Sequence, residues 1–317
     1  MLRGQEIYVF FYRFGINGIW GIIVCNVIMT IVIYKTLNMV YSKNINIYKE
    51  YLNEIFKGKE KLIDSTNIVI NVFLCITFFI MISGFGTYLS QALNINKILG
   101  SAILAIISYI VFLKNMENLA KINSIVVPLL ILVITIIGIK NISGIEFGKI
   151  NINKDTSIFW IVQSVLYASY NLILVEPVLI NLNQLLKSKR QIKISCICVG
   201  IIMFILTLLE FFLLSNLGNS GGGEMPLITV MEKTFSEFSL IYGIIILIAI
   251  FTTATSVGMS FLNNICKSKK SFPQIAAILC ITSVIISPIG FANLVNNLFP
   301  LFGFLGLLQI YFCLKNG

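Results

Sequence analysis

Nine blocks of nearly uninterrupted apolar sequence follow one another along this chain, at about 17–40, 66–90, 98–113, 124–139, 157–182, 192–215, 239–262, 273–289 and 291–314. An α-helix needs roughly 20 apolar residues to cross the hydrocarbon core of a bilayer. The blocks are continuous rather than alternating, which excludes a transmembrane barrel. With 57% hydrophobic against 11% charged residues in 317, the chain also lies outside the soluble globular range. The pattern predicts an all-α polytopic membrane protein whose standing partner is the lipid bilayer.

The charges set the orientation. Net charge is +10, but the lysines are spread between apolar blocks and not gathered on one segment, so no nucleic-acid partner is expected. Connectors on one side carry 16 basic residues, among them Lys43, Lys49, Lys57, Lys187, Arg190 and Lys270; those on the other side carry 6. The excess predicts a plasma-membrane protein with the richer side, and the C-terminus, in the cytoplasm. There is no histidine, which removes histidine-dependent hydrolases and zinc proteases. The seven cysteines lie in or beside apolar blocks and read as small hydrophobes.

Two connectors stand out. Residues 41–64 form a mixed-charge segment expected to be a solvated amphipathic helix. After the glycine-rich run 216–223, Ile228, Met231, Phe235 and Phe238 recur at helical spacing, which predicts an external amphipathic helix near 225–238. It reads equally as an interfacial helix or as a lid.

The 157–182 block, SIFWIVQSVLYASYNLILVEPVLINL, carries unusual chemistry for a span. Gln163, Tyr167, Tyr170 and Asn171 fall at i, i+4, i+7 and i+8, so they share one helix face. Glu176 precedes Pro177, which lacks an N–H and disfavours helical geometry before it. Polar groups at that depth persist where they face protein or water. The block reads as a broken helix at a binding site, or as a proline kink whose polar groups bond between helices. In 239–262, Thr252, Thr255 and Ser256 cluster on one face with Thr253 adjacent. These hydroxyls offer hard oxygen donors for a cation, or bond to their own helix.

The first 15 residues are too short to span, so they either lie in the interface or form the second half of a partial helix 1. Counting it, the chain divides five plus five: a first inverted repeat over 1–140, an external linker at 141–156, and a second repeat over 157–317. Inverted repeats of odd helix number, each led by an interrupted helix, mark many secondary transporters.

Several motifs are familiar. GQEIYVFFYRFGINGIWGI (4–22), NSIVVPLLIL (123–132), LYASYNLIL (166–174), EMPL (224–227) and TTATSVGMS (252–260) resemble the YkvI-like family of bacterial membrane proteins. That family looks like a branch of the amino acid–polyamine–organocation superfamily, with the LeuT-like fold of five plus five inverted helices. The resemblance implies that Gly4, Gln5 and Glu6 lie just beyond the unwound centre of helix 1, at a substrate site shared with Gln163, Tyr167, Tyr170, Asn171 and Glu176. It also implies Na+ ligation by an adjacent hydroxyl pair in the 239–262 block, and both Thr252-Thr253 and Thr255-Ser256 fit that pattern. The family's glycine-rich first half of helix 1 is expected before Gly4, where this sequence has only Met1-Leu2-Arg3. A mis-assigned start codon or a truncated gene would each explain that.

The expected function is secondary active transport of a small solute, an amino acid or related organic cation, coupled to Na+ or H+ by alternating access. The competing expectation is a non-transporting relative of the same fold: a ligand sensor, an assembly partner or an inactive truncated form. No cofactor is expected, and no nucleophile–base pair or metal cluster suggests an enzyme.

Overall fold

The computed structural model describes residues 4–114, 117–142, 158–180, 183–217, 227, 230, 236–266, 268, 270–289 and 291–316. Among these, all regular structure is helical: α1 Gln5–Phe10, α2 Ile16–Lys43, α3 Tyr48–Phe56, α4 Glu60–Leu93, α5 Lys97–Leu113, α6 Glu117–Ile142, α7 Phe159–Ile180, α8 Lys189–Leu213, α9 Ser236–Ile265, α10 Phe272–Ile286 and α11 Phe291–Asn316. Seven of the nine apolar blocks form helices long and apolar enough to cross a membrane, namely those in α2, α4, α7, α8, α9, α10 and α11. The protein is a multi-pass membrane protein. The two shorter blocks fall in α5 and α6; α5 has 17 residues, about 26 Å of helix against a hydrocarbon core of about 30 Å.

Large apolar side chains on these helices stand exposed, including Trp20, Ile106, Ile194 and Ile285. Water would penalise such a surface, whereas acyl chains solvate it. The predicted external helix near 225–238 and the 141–156 linker lie largely outside the described residues. Of the former, Leu227 and Val230 are described and both are buried.

Three details differ from the sequence reading. The 41–64 connector is not a solvated helix. α2 runs on to Lys43, α4 begins at Glu60, and α3 between them buries Tyr51, Leu52, Ile55 and Phe56 completely. Its apolar positions recur at i, i+3 and i+4, so they had to find a protein surface. α7 is one continuous helix through Pro177 to Ile180, with no break at its centre. Pro177 sits in the last turn, where few ladder bonds remain to lose. Finally, α1 ends at Phe10 and a 3-10 turn at Tyr12–Phe14 leads to Gly15 (φ 56°, ψ −131°), a backbone geometry that a side chain would oppose.

The chain divides into two compact units: Met1–Val9, Leu74–Ile150 and Leu209–Asn297 in the first, and Phe10–Phe73, Asn151–Leu208 and Leu298–Gly317 in the second. In the first, α5 packs on α10 and on α9, and α9 packs on α6. Close approach there uses small residues: Ser101 Oγ donates to Ile82 O (3.2 Å) and Ser83 Oγ to Ser287 O (3.0 Å). In the second, α2 lies along α7 over most of its length, with α3 against α7. Gly303 of α11 rests on α7, where an added Cβ would come within 2.7 Å of Leu166 O.

Candidate solute and ion site residues

The polar face of α7 belongs to the second unit and turns inward. Gln163, Tyr167 and Tyr170 are buried, and Asn171 is half-buried. The i, i+4, i+7 pattern therefore did mark a face covered by protein. Around it, Phe10 and Phe11 from the turn between α1 and α2, together with Phe299 of α11, build an aromatic wall. Tyr167 meets Phe11 at 4.7 Å and Phe10 at 5.4 Å between ring centroids, and Tyr170 meets Phe299 at 4.7 Å. Phe73 of α4 stacks on Phe302 behind this layer. Gln163 Oε1 is buried without a hydrogen-bond partner among the described residues. Asn171 Nδ2 donates to Tyr167 O one turn back (2.9 Å), so its own carbonyl oxygen is the end left to offer. Such a surface suits a small zwitterion or cation: π faces for an ammonium, and amide oxygens to accept its hydrogens.

Glu176 sits apart from that face, nearly two turns further along α7. It is fully buried. Tyr51 of α3 donates to its Oε1 (3.1 Å), as does Thr36 of α2 (3.4 Å), and Gln309 Nε2 of α11 donates to its Oε2. The Thr36 and Tyr51 hydroxyl oxygens lie 2.9 Å apart, and Gln309 Nε2 donates to Tyr48 OH (2.8 Å). Burial first, and the neighbouring Glu176 carboxyl second, push the Tyr48 and Tyr51 phenols well above the usual tyrosine value.

The remaining candidates lie in the first unit. Gly4 has φ +70° and packs against the Leu227 side chain, so the GQE and EMPL motifs meet. Gln5 is buried, and its Nε2 donates to Asn296 Oδ1 of α11 (3.0 Å). Glu6 lies in the first turn of α1. On α9, Thr252 and Thr253 donate to Ala249 O (3.1 and 2.8 Å) and Thr255 to Phe251 O (2.8 Å). Those hydroxyl protons serve the helix, while the oxygen lone pairs remain available to a cation. Thr252 and Thr255 are buried, Ser256 is half-buried, and Thr253 is exposed.

An apolar cavity of about 470 Å³ opens between α2 and α8, lined by Val27, Ile31, Ile197 and Ile201 among others. These four are exposed, so the space faces lipid and not the polar face of α7.

No family model matches the chain. It is 28% identical over 320 residues to an uncharacterized membrane protein, YkvI, of Bacillus subtilis (strain 168); the match covers 96% of this chain and 88% of that protein. It is also 24% identical over 253 residues to the uncharacterized protein YyaD of the same organism, covering 76% of this chain and 71% of that one. The chain is YkvI-like.

Two features of this YkvI-like chain escaped the sequence reading. Glu210 of α8 is 2% exposed, and its Oε2 has no hydrogen-bond partner among the described residues. It lies within electrostatic reach of Glu6 and Tyr242 of the same unit. The partners of Glu176 were missed as well. Their trace in sequence is faint: a tyrosine pair three residues apart in a polar connector, and a lone glutamine in the last apolar block.

Proposed function

We propose that this YkvI-like chain is a secondary active transporter of a small solute, coupled to Na+ or H+ by alternating access. The observation that carries the reading is the inward turn of the α7 polar face. Gln163, Tyr167, Tyr170 and Glu176 sit buried in a membrane-crossing helix, and polar groups there cost too much to be kept without use. The family resemblance supplies the solute class, an amino acid or related organic cation, and the LeuT-like arrangement of helices.

Packing supports that arrangement. Under the proposed repeat, α5 and α10 are equivalent elements, and they pack on each other. The α9–α6 pairing has its counterpart in α4 with α11, where Phe73 stacks on Phe302. On this reading the lysine-rich connectors and the C-terminus face the cytoplasm of a bacterial cell. Gly4, Gln5 and Glu6 enter as solute-site residues by the family resemblance alone, and either Thr252-Thr253 or Thr255-Ser256 offers oxygens to Na+. Proton coupling would instead use the Glu6–Glu210 neighbourhood.

A second reading, a sensor that binds without transporting, is favoured by the unbroken α7 and by threonine hydroxyls already bonded within α9. Uptake of labelled amino acids into proteoliposomes under imposed Na+ or H+ gradients separates the two. Gradient-driven accumulation is expected, and Asn171→Ala or Ser256→Ala should weaken solute binding by about tenfold, or 1.4 kcal/mol, without lowering expression. Saturable binding with no flux would establish the sensor instead.

A further inference from the structure

Among the described residues, Glu176 is a fully buried carboxylate held by three side-chain donors and no basic side chain. Its hydrogen-bond partners are Tyr51, Thr36 and Gln309, and no lysine or arginine pairs with it among the described residues. The titratable groups facing it are Tyr48 and Tyr51 from α3 and Cys313 from α11, whose sulfur lies 3.7 Å from Thr36 Oγ1. Lys35, which lies within electrostatic reach of Cys313, donates from Nζ to Leu314 O (2.6 Å) at the surface. A second observation points the same way. Gln309 is 2% exposed, and its Oε1, on the amide that touches Glu176, has no hydrogen-bond partner among the described residues. A buried carboxylate with no basic partner, beside an amide oxygen and two hydroxyl oxygens, is a set of hard oxygen donors suited to a monovalent cation.

The wall of this pocket is α3. Tyr51 reaches Glu176 from it, Tyr48 holds Gln309, Asn316 Nδ2 donates to Ile55 O (2.7 Å), and Phe56 packs edge-on to Phe312 (5.1 Å). Asn183, just past α7, donates to Asn44 Oδ1 (2.8 Å) and Asn46 Oδ1 (3.0 Å), pinning the approach to α3. Lifting α3 would remove Tyr51 and let water reach the carboxylate.

We propose that the Glu176 pocket binds one monovalent cation, and that its occupancy keeps α3 docked on α7 and α11. A proton would sit on a Glu176 carboxylate oxygen. Sodium would take the carboxylate together with Thr36, Tyr51 and Gln309 oxygens. The docked state binds one cation more than the undocked state, so losing the cation favours release of α3, and the released helix exposes the path beneath it. In naming a place for the coupling ion this rests on the transporter reading, but its test needs no flux, so the two fail separately.

The test is amide hydrogen exchange of residues 48–56 in the full chain in lipid nanodiscs, corrected for intrinsic rates and referenced to residues 97–113. One arm replaces NaCl by N-methyl-D-glucamine chloride at fixed pH; the other raises pH at fixed sodium. Where the docked state is saturated and the undocked state is not, exchange of 48–56 should accelerate by about tenfold per tenfold drop in sodium, or about tenfold per pH unit, which identifies the ion. Glu176→Gln, neutral without a cation, should stay protected and respond to neither arm. Tyr51→Phe should keep the response but shift its midpoint toward higher sodium if the ion is sodium, and toward higher pH if it is a proton, because the carboxylate then loses a donor. Wild-type exchange indifferent to both arms would overturn the proposal, and so would a Glu176→Gln response equal to wild type. The wild-type arms decide even where the variant does not fold.

Discussion

Replacing Leu52 by alanine tests whether α3 is a packed part of the protein or a polar connector. Leu52 is completely buried in a nine-residue helix whose neighbours Tyr51, Ile55 and Phe56 are buried with it. The substitution removes three carbons. At about 0.8 kcal/mol per buried methylene the transfer loss is about 2.4 kcal/mol, and the cavity left behind brings the cost to about 3 kcal/mol. Because α3 is short and flanked by turns with left-handed residues at Asn44 and Lys57, the loss should fall on local docking before global unfolding. At 1.4 kcal/mol per tenfold, amides in 48–56 should then exchange about 100-fold faster, with exchange in α7 unchanged. Lys49→Ala, on the exposed face of the same helix, is the control and should alter exchange by less than about 0.5 kcal/mol, roughly twofold. A Leu52→Ala protein whose α3 exchange rises less than threefold would refute the packing argument, because a solvated amphipathic helix loses almost nothing on that change.

Two other outcomes follow from the packing. Gly303→Val sets a branched side chain against Leu166 O, where even a Cβ would approach to 2.7 Å; the expected cost is about 3 kcal/mol, read as a lowered thermal midpoint in detergent. Tyr48 and Tyr51 have native pKa values raised above those of the unfolded chain. The stability they lend is therefore whole below pH about 10 and is lost as pH rises through the higher native values, at up to about 1.4 kcal/mol per pH unit for each phenol. Midpoints measured from pH 8 to 11 should fall less steeply for Tyr51→Phe than for wild type, and identical slopes would contradict the burial of that hydroxyl.

Much of the fold was legible because membrane spans are specified locally. The blocks at 17–40, 192–215 and 291–314 carry their own hydropathy, and a helix in lipid satisfies its backbone from within. The buried face of α7 was legible for a similar reason: 3.6 residues per turn places Gln163, Tyr167 and Tyr170 on one side whatever lies opposite. The threonines of α9 were half legible. Sequence brought their hydroxyls together, but only coordinates show Thr252, Thr253 and Thr255 each donating to a carbonyl of its own helix. The burial of Glu210 was not legible, because its place within the 192–215 block says nothing about what covers it.

By itself, the sequence determined that this chain lives in a membrane, where most of its spans begin and end, and which face of α7 must be kept from lipid. All three follow from solvation and helical period, which depend on residues within a few turns of one another. Tertiary structure alone decided that α3 is part of the protein interior, that α7 passes through Pro177 unbroken, and that Glu176 leaves the aromatic face for a network of its own. The donors to that carboxylate, Thr36, Tyr51 and Gln309, lie 140, 125 and 133 residues away in sequence. A hydrogen bond needs its atoms within about 3 Å, and no local pattern specifies which distant side chains the folded chain brings that close.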